Sequence, residues 1–326
     1  MNIIFWGTPE YSVDSLNKLI DSHHQISAVI TQPDKKRSRG NKLIPSPVKE
    51  IALKYDIPVF TPSSIKNNVS FIESLESFNS DIFVVIAYGK ILTNKILSIP
   101  RYGCWNAHAS ILPRWRGAAP IQWSLLKGDI FTGIGIIKMD EGLDTGDILL
   151  EKKIRINDRD NLYSLSQKLS IISSELIYKS LEIIDKDPES VKSKLTPQKL
   201  KNEEIKYARM ITKEDYKLDF NDSAENIERK VKGLFPGSFT IHKGKILKIL
   251  NVKILSNEEI NEIDKNHSKS HINNIGKVVK IYKNEGVVIA TKTKPVLIKE
   301  KKFEGKNISN KNQLIQQLNL KIGEKI

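Results

Sequence analysis

Cysteine is almost absent from this chain of 326 residues, and the one present, Cys104, excludes an intramolecular disulfide or a thiolate zinc site. No stretch approaches the roughly 18 consecutive apolar residues of a membrane span. The first ten residues lack a basic segment and reach an acidic residue at Glu10, which indicates a β-strand and not a signal peptide. The turn after that strand has a single glycine, Gly7, whereas a dinucleotide-binding fingerprint has three, so that fingerprint is absent. These absences predict a cytoplasmic protein with no membrane partner.

Acidic residues are also in deficit. The chain has 52 Lys and Arg against 38 Asp and Glu, a net charge of +14. Residues 201–326 hold 26 basic and 16 acidic residues, whereas residues 1–200 hold 26 and 22. The basic C-terminal part favours a polyanionic partner, with nucleic acid first. The alternative is that lysine, abundant throughout, only solubilises the surface.

Hydrophobic residues form 39% of the chain, enough for a sizeable core. In the first half, short apolar runs alternate with helical patterns. The predicted strands are Asn2–Trp6, Ile26–Ile30, Pro58–Phe60, Ile82–Ala87, Gly103–Asn106, Ile134–Met139 and Ile148–Lys153. The predicted helices are Tyr11–Asp21, Pro47–Tyr55, Val69–Phe78 and Pro120–Lys127, followed by a long one over Asn161–Asp185. This alternation is typical of an α/β fold with a mostly parallel sheet.

The second half has a different pattern, with β-like runs from Ser238 onward that are not separated by helices. We expect a small antiparallel sheet or barrel there, with residues 256–274 as a long polar loop. The predicted domains are residues 1–187 and 207–326, joined by a polar linker over residues 188–206.

Three polar residues are candidates for chemistry. Asn106 and His108 are two positions apart at the end of a strand, so their side chains point to the same side. Asn can donate to a developing oxyanion, and His can move a proton near neutral pH. Asp144 lies among turn glycines after a later strand, and a carboxylate that met His108 would orient it. The alternative for Asp144 is ordinary turn chemistry.

These residues lie in segments that resemble the folate-dependent formyltransferases. The resemblance is carried by Asn106-Ala-His108, Ser110-Ile-Leu-Pro113, Arg114-Trp-Arg-Gly-Ala-Ala-Pro-Ile121 and Gly142-Leu-Asp144-Thr-Gly-Asp-Ile148, with further matches at Phe5–Pro9, Thr31–Asp34, Pro45–Lys49 and Val85–Gly89. It covers residues 1–180 densely and 205–235 thinly. Two departures weaken it in the C-terminal part, where Gly233-Leu-Phe-Pro236 keeps only the last residue of a family motif and the tail beyond Leu255 matches poorly.

The resemblance implies a Rossmann-like formyltransferase domain followed by a small OB-like β-barrel domain that binds tRNA. It implies 10-formyltetrahydrofolate as formyl donor and initiator methionyl-tRNA as acceptor, with no metal and no required oligomer. Asn106, His108 and Asp144 are then the catalytic residues. The implied folate site is formed by Ser110, Ile111, Leu112 and Pro113, with the backbone near Tyr88 and Gly89.

A basic segment precedes the helix at Pro47. Its cationic residues are Lys35, Lys36, Arg37, Arg39 and Lys42. Such a segment is either a solvated connection or an arm that contacts phosphates, and the resemblance favours contact with the tRNA acceptor end. Trp115 and Trp123 are expected more often to be packing residues than base-stacking platforms, and Trp115, between two arginines, is the better candidate for exposure. The remaining histidines, His23, His24, His242, His267 and His271, are predicted to lie at the surface.

Two alternatives to aminoacyl-tRNA formylation stay open at this point. One is a formyltransferase for a small amine, such as an amino-sugar nucleotide or glycinamide ribonucleotide. The other is an RNA-binding module on a scaffold without activity. The basic segment and the basic C-terminal part argue against the first, and the intact set of Asn106, His108 and Asp144 argues against the second.

Overall fold

The computed structural model describes residues 1–37, 42–266 and 274–326. The chain divides into two compact units. The first contains Met1–Pro120, Ile130–Ile156 and Ser164–Arg209, and the second contains Ile121–Asp129, Asn157–Tyr163 and Met210–Ile326. The domain boundaries 1–187, 188–206 and 207–326 stay a prediction.

The first unit is built around one large sheet. The strands of this sheet and of two short ribbons are β1 (Asn2–Gly7), β2 (Gln25–Ile30), β3 (Lys35–Arg37), β4 (Lys42–Ile44), β5 (Val59–Phe60), β6 (Ile82–Ile86), β7 (Cys104–His108), β8 (Arg116–Gly117), β9 (Phe131–Lys138), β10 (Ile148–Arg155) and β11 (Tyr207–Ala208). The two ribbons are β3-β4 and β8-β11. The sheet order is β10-β9-β7-β6-β1-β2-β5. The strands from β7 to β5 pair in parallel, whereas β9 and β10 pair antiparallel. This confirms the predicted mostly parallel α/β sheet.

Helices follow the strands as the periodicity predicts. Those before residue 200 are α1 (Val13–Ile20), α2 (Pro47–Lys54), α3 (Val69–Ser77), α4 (Asn94–Leu97), α5 (Pro120–Lys127), α6 (Leu162–Lys186) and α7 (Val191–Lys194). The Ser46 hydroxyl accepts a hydrogen bond from the Lys49 amide and Pro47 occupies the first turn, so α2 begins where its cap residue places it.

The sheet of the first unit is buried through its middle. All five residues of β6 are buried, and Trp6 of β1 packs on Phe83 with ring centroids 5.6 Å apart. Strands covered on both faces need apolar residues at every position, which explains the continuous apolar runs in the sequence. Within the described ranges, none of the helices has the length and apolarity needed to span a membrane.

The second unit carries an antiparallel sheet. Its elements are α8 (Ala224–Gly233), β12 (Phe239–His242), β13 (Lys245–Ile254), α9 (Asn257–Asn266), β14 (Val278–Tyr282), β15 (Gly286–Ile289), β16 (Val296–Phe303), β17 (Ser309–Asn310) and α10 (Lys311–Leu318). The strand order is β12-β13-β16-β15-β14, with β17 on β16. This is the small β-domain that the sequence predicts. The predicted loop over residues 256–274 is wrong at its start, because α9 occupies much of it.

Candidate active site

The central strand β7 carries both of the first two candidate residues. Asn106 pairs with Ile137 of β9 and His108 pairs with Gly135, so both side chains lie at the carboxyl end of β7 on one face. His108 is buried at 5% exposure, whereas Asn106 is half-buried. In open α/β sheets, ligands bind outside the carboxyl ends of the strands, which makes this end the candidate site.

Asp144 reaches the same place from the loop between β9 and β10. Its Oδ2 atom lies 3.5 Å from His108 Nδ1 and accepts a hydrogen bond of 2.7 Å from the Gly117 amide. Its Oδ1 atom accepts from Asn106 Nδ2 at 3.3 Å. The structure therefore brings Asn106, His108 and Asp144 into one contiguous group.

The second ring nitrogen of His108 is held by a main-chain carbonyl. His108 Nε2 lies 2.9 Å from the Trp115 oxygen. A carbonyl oxygen only accepts, so Nε2 carries a proton and Nδ1 is the position that faces the Asp144 carboxylate.

Both partners of His108 have an unfavourable backbone conformation. Trp115 has φ of 63° and Asp144 has φ of 53°, in the left-handed region that favours glycine. Such residues cost of order 1–3 kcal/mol each and persist where their surroundings fix them. The expectation of an exposed Trp115 is wrong, because its side chain is only 4% exposed, with the Arg114 guanidinium 4.7 Å from the ring centroid.

One residue that the sequence reasoning missed holds the Asp144 loop. Gln198 is 3% exposed, and its Nε2 donates to the main-chain oxygens of Asp144 and Gly146, both at 2.8 Å. Its Oε1 accepts from Arg116 Nε at 3.0 Å and Arg116 Nη2 at 2.7 Å. Gln198 therefore joins the two segments that contact His108. A glutamine in a polar stretch has no local signature that would reveal this.

The chain around Gln198 is bound to the same two segments. Thr196 forms a β-bridge with Ile148, and β11 pairs in parallel with β8, with Tyr207 opposite Arg116. Gly117 has φ of +118°, and a Cβ there would collide with the Ala208 carbonyl, so this close approach requires glycine. The residues predicted as a linker thus brace the candidate site.

The residues of the implied folate segment differ in what they can offer a ligand. Leu112 is fully buried among Ile137 and Ile148, so its side chain belongs to the core. The Ser110 hydroxyl donates to the Arg114 oxygen at 2.6 Å, and Ile111 and Pro113 are also buried. Any ligand contact from this segment would come mainly from its main chain. Its folate role stays a prediction.

The surroundings of Tyr88 and Gly89 are opposite, since the first is buried and the second faces open space. Tyr88 is 2% exposed, and its ring packs edge-on against that of Trp6 with ring centroids 5.1 Å apart. Burial raises the pKa of the Tyr88 hydroxyl to about 12. Its main-chain oxygen accepts from Thr8 Oγ1 at 3.0 Å and Gln32 Nε2 at 3.2 Å. Gly89, with φ of +88°, has open space where a side chain would stand. Only the main chain here is available to a ligand.

The basic segment is a hairpin and not a plain loop. β3 and β4 pair antiparallel, with Lys35 opposite Ile44 and Arg37 opposite Lys42, and Lys35 is exposed. An ion pair of 2.8 Å between Asp34 and Lys49 fixes the hairpin base to α2. Lys36 pairs with Leu43 in the same ribbon, whereas Arg39 lies outside the described residues.

Comparison with known families agrees with this architecture. Residues 1–181 match the model of the formyl transferase family, and residues 210–319 match that of the formyl transferase C-terminal domain. The chain belongs to the formyl transferase family. The first match covers the large sheet and the candidate site, and the second covers most of the antiparallel sheet.

Individual relatives support the assignment of this chain to the formyl transferase family. This formyltransferase is 55% identical to a methionyl-tRNA formyltransferase of Prochlorococcus marinus strain MIT 9215, over 99% of both chains. A crystal structure of HypX from Aquifex aeolicus aligns with a TM-score of 0.62 at 17% identity, covering 97% of this chain and 47% of that one. A crystal structure of WlaRD, a sugar 3N-formyl transferase, aligns with a TM-score of 0.61 at 17% identity, covering 94% of this chain and 99% of that one. At these identities the structural likeness shows the fold alone.

Proposed function

We propose that this formyltransferase moves the formyl group of 10-formyltetrahydrofolate to the α-amine of methionine on initiator tRNA, in the cytoplasm and with no required oligomer. The observation that carries the catalytic assignment is the placement of Asp144 Oδ2 3.5 Å from His108 Nδ1, while Nε2 stays protonated against a carbonyl. The relative at 55% identity over its whole length supports the choice of acceptor.

The group fits the charge changes of an acyl transfer. The amine nitrogen attacks the formyl carbon and an oxyanion forms. The bond from that carbon to N10 of the folate then breaks, N10 gains a proton and the amine loses one. The second amide proton of Asn106 is the donor for the oxyanion, and the Nε2 proton of His108 can join it only by leaving the Trp115 oxygen. Such donors typically contribute 10²–10³ in kcat.

Asp144 is assigned the supporting role. Its carboxylate stabilises positive charge on His108 as the oxyanion develops, and it assists loss of the proton from the attacking amine. Because Oδ2 also accepts from the Gly117 amide, the carboxylate has a fixed orientation. Folate binding is assigned to the main chain of residues 110–113 and of Tyr88 and Gly89.

A three-acceptor assay tests the substrate. The enzyme is incubated with labelled 10-formyltetrahydrofolate and either methionyl-initiator tRNA, uncharged tRNA or an amino-sugar nucleotide. Label on the methionyl-tRNA alone is expected. Label on the sugar nucleotide would contradict the acceptor assignment, and binding of tRNA without any transfer would contradict the catalytic one.

Substitutions at the site test the residue roles. We expect His108→Ala to lower kcat by roughly 10²–10⁴ and Asp144→Asn to lower it substantially, with tRNA affinity retained. The matched control is Glu141→Gln, which removes one carboxylate from the exposed part of the same loop. Wild-type turnover in either site variant would refute the assignment, as would an equal loss in the control.

The basic hairpin is assigned to tRNA. Neutralising its five cationic residues should weaken tRNA binding and lower the salt slope of log K by up to about one unit per lost phosphate contact. Folate affinity should stay unchanged. Neutralising the exposed residues Lys192 and Lys199 is the control, and a hairpin variant with an unaltered salt slope would exclude this role. Because arginine holds phosphate in a fixed fork, Arg39→Lys should also lose activity on tRNA.

A further inference from the structure

A cluster of ionisable residues lies on the first unit away from the candidate active site. His23 and His24 precede β2, and Glu182 projects from the last turns of α6. The predicted surface position is wrong for His24, which is 5% exposed, and for His242 at the same exposure, whereas His23 is exposed. The other two histidines, His267 and His271, lie outside the described residues.

Two buried polar atoms in this cluster make no hydrogen bond. They are His24 Nε2 and Glu182 Oε1, and they face each other at 3.3 Å. The side chain of His24 is 0% exposed, so water does not compensate it from outside. The contact lacks hydrogen-bond geometry, so two buried polar atoms are placed together without a bond between them, which calls for an explanation.

We propose that this His–Glu cluster, formed by His23, His24 and Glu182, binds a Zn²⁺ ion. The candidate ligand atoms of the three residues all lie within 4.8 Å of one another. Asp185, one turn further along α6, lies outside that set, because its Oδ2 is 3.6 Å from His23 Nε2 but also 3.9 Å from the Met1 α-amine. The three residues leave one position of a four-coordinate ion for water.

The separations fit tetrahedral coordination. Zinc bonds of about 2.0–2.2 Å to imidazole nitrogen and carboxylate oxygen place tetrahedral ligand atoms about 3.3–3.5 Å apart. Glu182 Oε1 lies 3.3 Å from His24 Nε2 and 3.5 Å from His23 Nε2. The mixed nitrogen and oxygen ligands suit Zn²⁺ better than Mg²⁺ or Ca²⁺, which prefer oxygen alone.

The place of the cluster indicates a structural role. His24 lies at the amino end of β2, whereas His108 lies at the carboxyl end of β7, and both strands point the same way in the sheet. A metal here joins the start of β2 to the end of α6, where a cation also complements the helix dipole. Formyl transfer should therefore be unaffected by its occupancy.

Zinc titration of the untagged full-length protein, stripped with a chelator, tests the proposal. Calorimetry should show one equivalent bound, with a rise of several degrees in Tm when free Zn²⁺ exceeds Kd by about a hundredfold. Glu182→Gln and His23→Asn should each weaken binding at least tenfold. Because His23 is exposed, we expect His23→Asn to fold normally, so it still tests the proposal if Glu182→Gln fails to fold.

The control is Glu175→Gln, which removes a carboxylate from the same helix where it pairs only with exposed Lys152. It should bind zinc as the wild type does. Absence of stoichiometric binding below about 100 μM zinc would overturn the proposal, and so would binding that both cluster variants leave unchanged. Inhibition of formyl transfer by one equivalent of zinc, retained in His23→Asn, would place the ion at His108 instead and overturn it as well.

Discussion

The bracing of the candidate-site loops by Gln198 can be tested with one isosteric substitution. Gln198→Glu keeps an oxygen that accepts from the Arg116 guanidinium, but it replaces the amide donor that binds Asp144 and Gly146 with a second oxygen. This variant therefore separates the two functions of one side chain. Gln198→Leu would leave the buried Arg116 without these acceptors, which risks a loss of 3–5 kcal/mol and of the fold.

In Gln198→Glu, the hydrogen bonds lost to the Asp144 loop and the stronger attraction to Arg116 have opposite effects on the free energy of unfolding. Two hydrogen bonds of 2.8 Å are lost, each contributing about 0.5–1.5 kcal/mol net, whereas the existing bonds to Arg116 are kept and gain a negative charge on the acceptor. Global stability should change by less than about 2 kcal/mol. The Asp144 loop, however, now has an anionic oxygen opposite its carbonyls and moves away. A displacement near 1 Å at a catalytic group lowers the rate by about 10².

Steady-state formylation with both substrates measures the consequence. We expect kcat to fall between about 10-fold and 100-fold, while KM for the folate and for the tRNA changes little. Lys199→Gln, at the adjacent exposed position, should leave both constants at wild-type values. A Gln198→Glu enzyme that melts like the wild type and keeps its kcat would refute the bracing argument.

Further predictions concern the second unit. Ser256→Ala should destabilise it by about 0.5–2 kcal/mol in urea unfolding, because Ser256 and Glu259 form a reciprocal capping box at the start of α9. Burial first, and Lys306 second, lowers the pKa of Lys301 to about 8. Since the unfolded chain holds that proton up to about pH 10.4, Lys301→Met should stabilise the unit below pH 8 and lose the advantage as pH rises to 10. Unfolding curves measured across that range check the sign.

Much of the fold of the first unit is predictable because its strands are buried on both faces. Such strands appear in the sequence as continuous apolar runs, as in the five residues of β6, and these runs can be recognised without knowledge of the tertiary structure. The basic hairpin is different. β3 and β4 are three residues each, and β3 is wholly cationic, so neither hydrophobicity nor alternation distinguishes the pair from a loop.

The helix α9 was missed although a signal for it exists. Its composition is polar, and among residues 257–263, whose side chains the structure describes, Ile260 and Ile263 are the buried ones, against the sheet of the second unit. That spacing is helical, but two residues form a weak pattern. The Ser256-x-x-Glu259 pair before them is the stronger sign, since it matches a capping box. Local chemistry at the helix start was more informative here than periodicity.

At the candidate site, the sequence identifies side chains better than main-chain partners. Asn106, His108 and Asp144 can be selected by residue type and motif, because each has a chemical role. The Trp115 carbonyl that fixes the His108 tautomer cannot be selected this way, since every residue has a carbonyl. The same holds for Gln198, whose partners at Asp144 and Gly146 are 54 and 52 positions away.

The need for such bracing follows from the backbone itself. Trp115 and Asp144 adopt left-handed conformations that their residue types disfavour, and both contact His108. Loops with this strain would relax if nothing held them, and relaxation would release both nitrogens of the imidazole. The segment with Gln198 and β11 supplies the opposing contacts. Residues that look like a connection between domains therefore support the candidate site, because they maintain the geometry around His108.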